Sequence, residues 1–247
     1  MSSTSKPVAL ITGANRGIGF ELARTLARDH NFQVIIGSRS DSSGLEAFSK
    51  LRAEGLFSVT GVTLDVSSDD SIVHAAKSVE QNFGRLDLLI NNAGIMLPDS
   101  QDSPIATKRK AFQSTFNTNV TGAAVVTETF IPLLSKSTLP RILFLGSTLG
   151  SITGRLDENY IWDSMDSISY RCSKAALSML AAQYARRYGE KGWKVNIVCP
   201  GYVKTGMVNF MGTITTEEAM PHLVKMCTLG ENGESGTFSD AEGTVLW

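Results

Sequence analysis

Tyr170 and Lys174 stand four residues apart in Ser169-Tyr170-Arg171-Cys172-Ser173-Lys174-Ala175-Ala176. On a helix, residues at i and i+4 lie one above the other on the same face. An ammonium beside a phenol favours the phenolate. Lowering a tyrosine from its usual ~10 to about 7 requires roughly 4 kcal/mol of differential stabilisation, within reach of a nearby cation plus a cofactor's charge. The result is an acid/base that exchanges a proton with a substrate oxygen at neutral pH. Taken alone, such a pair is more often a half-buried ring and a solvated amine. The surrounding elements must decide.

The 247 residues suffice for one domain with a well-buried core. Apolar residues make up 42% and charged residues 19%, a balance that excludes disorder. The net charge of −1, from 23 basic and 24 acidic side chains, gives no basis for nucleic-acid or membrane binding. No apolar run approaches the roughly 20 residues of a membrane span. The opening Met1–Pro7 lacks a signal-like apolar region, so a cytoplasmic location is expected. Cys172, Cys199 and Cys227 lack metal-ligand spacing, and buried or semi-buried thiols are expected, with no metal site.

Short apolar runs alternate with amphipathic segments. Val8–Thr12, Gln33–Gly37, Val59–Leu64, Leu86–Ile90, Arg141–Gly146 and Lys194–Cys199 read as buried strands. Ile18–Asp29, Gly44–Arg52, Ser71–Phe83, Ile105–Leu134 and Ile168–Tyr188 carry helical spacing. Alternation of this kind predicts an α/β fold, a parallel sheet with helices on both faces. No linker interrupts it, so residues 1–247 form a single domain, with a cofactor half at about 7–150 and a catalytic and substrate half at about 151–247. Beyond Gly201, Met207, Phe210, Met211, Met220 and Met226 cluster, and Thr215-Thr216-Glu217-Glu218 has the form of a capping box opening a short helix.

The first strand runs into Thr12-Gly13-Ala14-Asn15-Arg16-Gly17-Ile18-Gly19 and then a helix. Glycines there allow close approach of a pyrophosphate, and the helix start offers free N–H groups. The spacing differs from G-x-G-x-x-G, so the placement after the first strand, rather than the motif, points to dinucleotide binding. At the end of the second strand, where an acid would hold the ribose of NAD, stands Gly37-Ser38-Arg39. A small serine, Arg39 and Arg16 would accommodate a 2′-phosphate instead, which favours NADP(H).

These residues resemble the short-chain dehydrogenase/reductase family along essentially the whole chain. The motifs follow family order: Thr12-Gly13-(x3)-Gly17-Ile18-Gly19, Asp65, Asn91-Asn92-Ala93-Gly94, Asn119, Ser147, Tyr170-(x3)-Lys174 and Pro200-Gly201-(x3)-Thr205. Tyr170-Arg171-Cys172-Ser173-Lys174 and the final Gly236–Trp247 are similar to the carbonyl-reductase branch, including Sniffer-type and fungal ketoreductase members. The resemblance implies a Rossmann-like doubly wound sheet in three αβα layers that binds a nicotinamide dinucleotide. It implies Tyr170 as proton donor, Lys174 lowering its pKa and bonding the nicotinamide ribose, Ser147 donating to the carbonyl oxygen, and Asn119 holding a water of a proton relay. It further implies that Asp65 meets adenine, that Asn92 and its neighbours meet the adenine ribose, and that Val203 and Thr205 hold the carboxamide.

Asp157, Glu158, Tyr160, Ile161, Trp162, Asp163 and Met165 lie in an extended stretch, roughly 154–166, before the tyrosine. Tyr160, Ile161 and Trp162 are expected to form one wall of a pocket for a bulky apolar or aromatic carbonyl substrate, opposite the methionines; a surface loop is the structural alternative. The resemblance implies pairing through the 105–134 and 168–188 helices as a homodimer or homotetramer. Ala175, Ala176, Ser178, Ala181 and Ala182 would allow close approach, while the added stretch leaves a monomer open. The function expected is NADPH-dependent carbonyl reduction, against NAD-dependent alcohol oxidation or a dinucleotide sensor without turnover.

Overall fold

The computed structural model describes residues 6–99, 102–162, 165 and 167–247. Asp163 and Asp166 of the extended stretch, and the first five residues, fall outside these. Eight strands form one sheet: β1 Val8–Ile11, β2 Gln33–Ser38, β3 Val59–Thr63, β4 Leu88–Asn91, β5 Arg141–Leu145, β6 Lys194–Val198, β7 Phe238–Asp240 and β8 Gly243–Thr244. Their order is β3-β2-β1-β4-β5-β6-β7-β8, parallel except for the β7–β8 pair. Six strands fall within two residues of their sequence-read ends. β7 and β8 were not foreseen, being too short to show a period.

The helices are α1 Gly17–Asp29, α2 Asp41–Ala53, α3 Asp69–Phe83, α4 Ile105–Phe116, α5 Ala123–Leu134, a single turn α6 Ile152–Arg155, α7 Ile168–Tyr188 and α8 Met220–Cys227. The sheet divides two cores because successive strand residues point to opposite faces. Val8 and Leu10 join Phe130, Phe144 and Tyr184 on one side. Ala9 and Ile11 join Leu22, Leu26, Leu51 and Leu223 on the other. The result is a single αβα domain of the doubly wound type.

The expected continuous helix at 105–134 is broken. A π-helical turn, Asn117–Gly122, separates α4 from α5. A Cβ at Gly122 would lie 2.5 Å from the Val66 carbonyl oxygen, so the wider turn seats a bare glycine against the β3 side. The predicted capping box does form. Thr215 N donates to Glu218 Oε2 at 2.7 Å and Glu218 N to Thr215 Oγ1 at 3.2 Å, and α8 follows after one turn.

Candidate active site

Strand order reverses between β1 and β4, where a crevice opens at the carboxyl ends of the strands. Register sets those ends level: Ile11 pairs with Ile90, Asn91 with Phe144, and Leu145 with Val198. The segments after β1, β4, β5 and β6 therefore emerge side by side. They carry the glycine loop, Asn92–Gly94, Ser147 and Pro200–Thr205.

Thr12 joins the first two. Its Oγ1 accepts from Asn92 N at 3.0 Å and Ala93 N at 2.9 Å and donates to Ile90 O at 3.3 Å. The Asn92 amide donates back to Thr12 O at 2.7 Å and Gly13 O at 3.1 Å. Asn92 thus acts on the loop with its side chain, and only its main chain is left for a ligand. Gly13 has φ +63°, and a Cβ there would sit 3.0 Å from Ala93 Cα. Gly17 has φ +59° and lies against Thr205, whose Cγ2 would be 3.4 Å from a Cβ.

The start of α1 fits a pyrophosphate. Its N-cap residue, Arg16, is extended and gives no side-chain cap, and the first turn holds no acid. Its first N–H groups and positive dipole end are uncompensated. Arg16 and Arg39 are exposed, and neither forms an ion pair among the described residues. The Ser38 hydroxyl, expected near a 2′-phosphate, is instead buried and committed to Ser40 O at 3.1 Å and Ser43 Oγ at 2.8 Å. The neighbouring Asp41 carboxylate accepts from the Thr63 hydroxyl. Asp65 turns Oδ1 to Ser67, accepting from its N at 2.9 Å and Oγ at 2.7 Å. Asn15 and Ile18 are half-buried in the same loop, with Ile18 packed on the second core.

On the other side of the crevice, Gly201 turns with φ +85° after half-buried Pro200. Val203 buries its side chain in the core and bridges to Ile214. The bridge uses Tyr202 O and Lys204 N, so the Val203 N–H and C=O point to its opposite edge with no main-chain partner among the described residues.

The four residues expected to do chemistry converge. Tyr170 and Lys174 share the buried face of α7, at 8% and 5% exposure, with Lys174 Nζ 5.5 Å from the Tyr170 ring centroid. Lys174 Nζ donates to Leu145 O at 2.6 Å. Ser147 follows two residues later, where its Oγ accepts from Leu149 N at 3.2 Å, and its hydroxyl interacts with the Tyr170 phenol. Asn119 Oδ1 accepts from Ile95 N at 2.8 Å, while Nδ2 donates to Ile95 O at 2.9 Å and Ser173 Oγ at 3.0 Å. Both amide hydrogens of Asn119 are therefore committed to the protein, leaving one Oδ1 lone pair and the main chain for a water.

The expected lowering of the phenol pKa does not occur in the protein by itself. Burial pushes Tyr170 up, the nearby Cys199 thiol adds to this, and Ser147 opposes it. Burial also lowers Lys174 to about 8, with Cys199 opposing. Desolvation outweighs the pairwise attraction on which the sequence reading relied. The phenol is protonated at neutral pH, ready to donate.

Other expectations divide. Trp162 does meet the segment after Gly201, edge-on to Tyr202 with centroids 5.4 Å apart, but Ile161 is exposed. Met220 and Met226 belong to the core, leaving Met207, Phe210 and Met211 exposed beyond the crevice. Ser178 and Ala181 of the supposed contact face are buried within the chain itself. Cys172 is exposed, contrary to expectation, and all three cysteines are free. No metal-binding group of side chains occurs among the described residues, and no helix among them is long and apolar enough to cross a membrane.

Sequence reasoning missed three supports. Thr12 was read only as the start of the loop, Ser173 only as part of a motif, and Asp99 not at all. Asp99 Oδ2 accepts from Ser169 N at 2.5 Å and so caps the helix that carries Tyr170. The cap spans 70 residues, a pairing that no local pattern displays.

Comparison with known proteins agrees with this geometry. The family described as short chain dehydrogenase matches residues 7–213. A short-chain dehydrogenase of Penicillium roqueforti, anuI, is 36% identical over 100% of this chain and 98% of its own. The NADPH-bound carbonyl reductase from chicken fatty liver superposes with a TM-score of 0.82 at 32% identity, covering 98% of this chain and 99% of that one. Salutaridine reductase from Papaver somniferum gives 0.81 at 26% identity, covering 96% of this chain and 100% of that one. With a doubly wound sheet, a glycine loop at its switch point and a family match over most of its length, this chain belongs to the short-chain dehydrogenase family of nicotinamide-dependent oxidoreductases acting on CH–OH or C=O groups.

Proposed function

We propose that the protein reduces a ketone or aldehyde to an alcohol with NADPH, with Tyr170 as proton donor. The observation that carries this reading is a buried, protonated phenol held between Ser147 and a lysine tied to the end of β5. When bound, the nicotinamide supplies the hydride. Tyr170 holds the proton that the developing alkoxide takes, and the Ser147 hydroxyl donates to the same oxygen. Lys174 bonds the nicotinamide ribose and, through Asn119 and a water, replenishes the proton. The free N–H and C=O of Val203 orient the carboxamide together with Thr205.

NADPH is favoured over NADH by Arg16 and Arg39, two unpaired guanidinium groups on the side where the adenosine ribose would lie, with Asp41 held by Thr63. The NADPH-bound state of the chicken carbonyl reductase lends support. A ring-bearing substrate suits the aromatic surface of Trp162 and Tyr202. Homodimer formation also belongs to this reading, with Ala175, Ala176 and Ala182 half-buried in the single chain. The test is loss of NADPH absorbance across a panel of ketones and aldehydes. Turnover with ring-bearing carbonyls supports the reading, and no turnover with any carbonyl contradicts it.

A further inference from the structure

Arg171 follows Tyr170 in α7, and its guanidinium leaves the helix to grip the stretch that precedes it. Nε and Nη2 donate to Met165 O at 3.1 and 3.0 Å, and Nη2 also donates to Trp162 O at 2.5 Å. Its Cζ lies 5.5 Å from the centroid of the Tyr160 ring. A planar fork that serves two carbonyls and stacks on an aromatic face is a task for arginine, and lysine is a poor substitute.

The same stretch is fastened at two further points. The Tyr160 hydroxyl donates to Thr148 O at 2.9 Å, beside Ser147. The Trp162 ring meets Tyr202 at 67°, between Gly201 and Val203. Each tie therefore ends next to a residue already placed in the site: Tyr170, Ser147 or Val203. Little else holds this stretch down. Leu156 and Ile161 are each 80% exposed, so it has few apolar contacts of its own, and its position depends on these ties.

We propose that Arg171 is a positioning residue that sets substrate preference. By holding Trp162 against Tyr202, it builds an aromatic wall that favours carbonyl compounds bearing a ring over small aliphatic ones. The proposal rests on the carbonyl-reductase reading above. A ring on the substrate gains contact with this wall, whereas a three-carbon aldehyde is too short to sense it. Arg171 itself touches no reacting atom.

The experiment compares the parent with R171A and R171K, using a bicyclic aryl ketone and propanal with NADPH. R171A is expected to lower kcat/KM for the aryl ketone about tenfold through KM, while the propanal value and the NADPH affinity change by less than about twofold. R171K restores only part of the aryl-ketone loss. The emission assigned to Trp162, taken as the difference between the parent and W162F, moves to the red in R171A. Equal loss on both substrates, or loss on neither, overturns the proposal. Should R171A fail to fold, W162A must show the same selective loss, and an unchanged ratio overturns it equally. A parent inert toward both carbonyls contradicts the reductase reading instead. The emission comparison then decides whether Arg171 holds Trp162, and an unshifted spectrum refutes it.

Discussion

Lys174 donates to the Leu145 carbonyl oxygen at 2.6 Å, which ties α7 to the end of β5 two residues before Ser147. The turn between them is packed equally closely. A Cβ on Gly150 would lie 2.7 Å from Lys174 Cβ. The separation between the serine and the tyrosine is thus set by main-chain contact and one charged hydrogen bond, before any ligand enters.

Gly150→Ala should therefore force α7 away from β5. Overpacking of this kind costs about 1–3 kcal/mol. A denaturant titration would read the loss of stability, and carbonyl turnover should fall with it. A variant as stable and as active as the parent would show that the contact is slack.

Thr12→Val keeps the shape of the side chain but removes the acceptor for two amide hydrogens, those of Asn92 and Ala93. Leaving them unpartnered should cost about 1–3 kcal/mol and loosen the glycine loop. Weaker NADPH binding, read by quenching of protein fluorescence or by calorimetry, is the expected companion effect.

Lys174 titrates at about 8 in the folded chain against a usual 10.5. The unfolded chain binds the extra proton between those values, so this group's contribution to stability rises with pH across that window. Below it, the cost of burying the charge is present in full. Relative to Lys174→Met, the nucleotide-free parent should gain on the order of 1–2 kcal/mol between pH 7.5 and 9.5. Taking the difference removes Cys199 and Cys227, whose raised thiol pKa values lower folded stability at alkaline pH. A difference that stays flat would mean that the ammonium is not desolvated.

Arg39→Asp places a carboxylate where the 2′-phosphate is proposed to sit. The loss of one charge-assisted contact and the new repulsion should shift the NADPH-to-NADH preference by about 10–100-fold toward NADH. Kinetics with the two coenzymes against one carbonyl measure this shift directly. An unchanged ratio would remove Arg39 from the cofactor site.

The layout of the fold was legible because both of its periods are strong. Runs such as Gln33–Gly37 and Lys194–Cys199 could only be buried parallel strands, and Ile168–Tyr188 matched its helix at both ends. The chemistry was legible because its residue types occur in one recognisable order. The features that stayed hidden depend on distant partners. The π-helical turn answers to Val66 across the layer, Asp99 caps a helix far along the chain, and Arg171 looks like a solvated residue until Met165 and Trp162 fold back on it. The direction of the Tyr170 shift was misjudged for a related reason. Spacing reports the neighbouring charge and says nothing about burial depth.

The most direct measurement is single-turnover oxidation of bound NADPH by a carbonyl substrate in Tyr170→Phe and in the parent. The variant should keep its NADPH affinity and lose about 10²–10⁴-fold in rate, the contribution of a positioned proton donor. Equal rates in the two proteins would contradict the assignment of Tyr170 as the source of the proton.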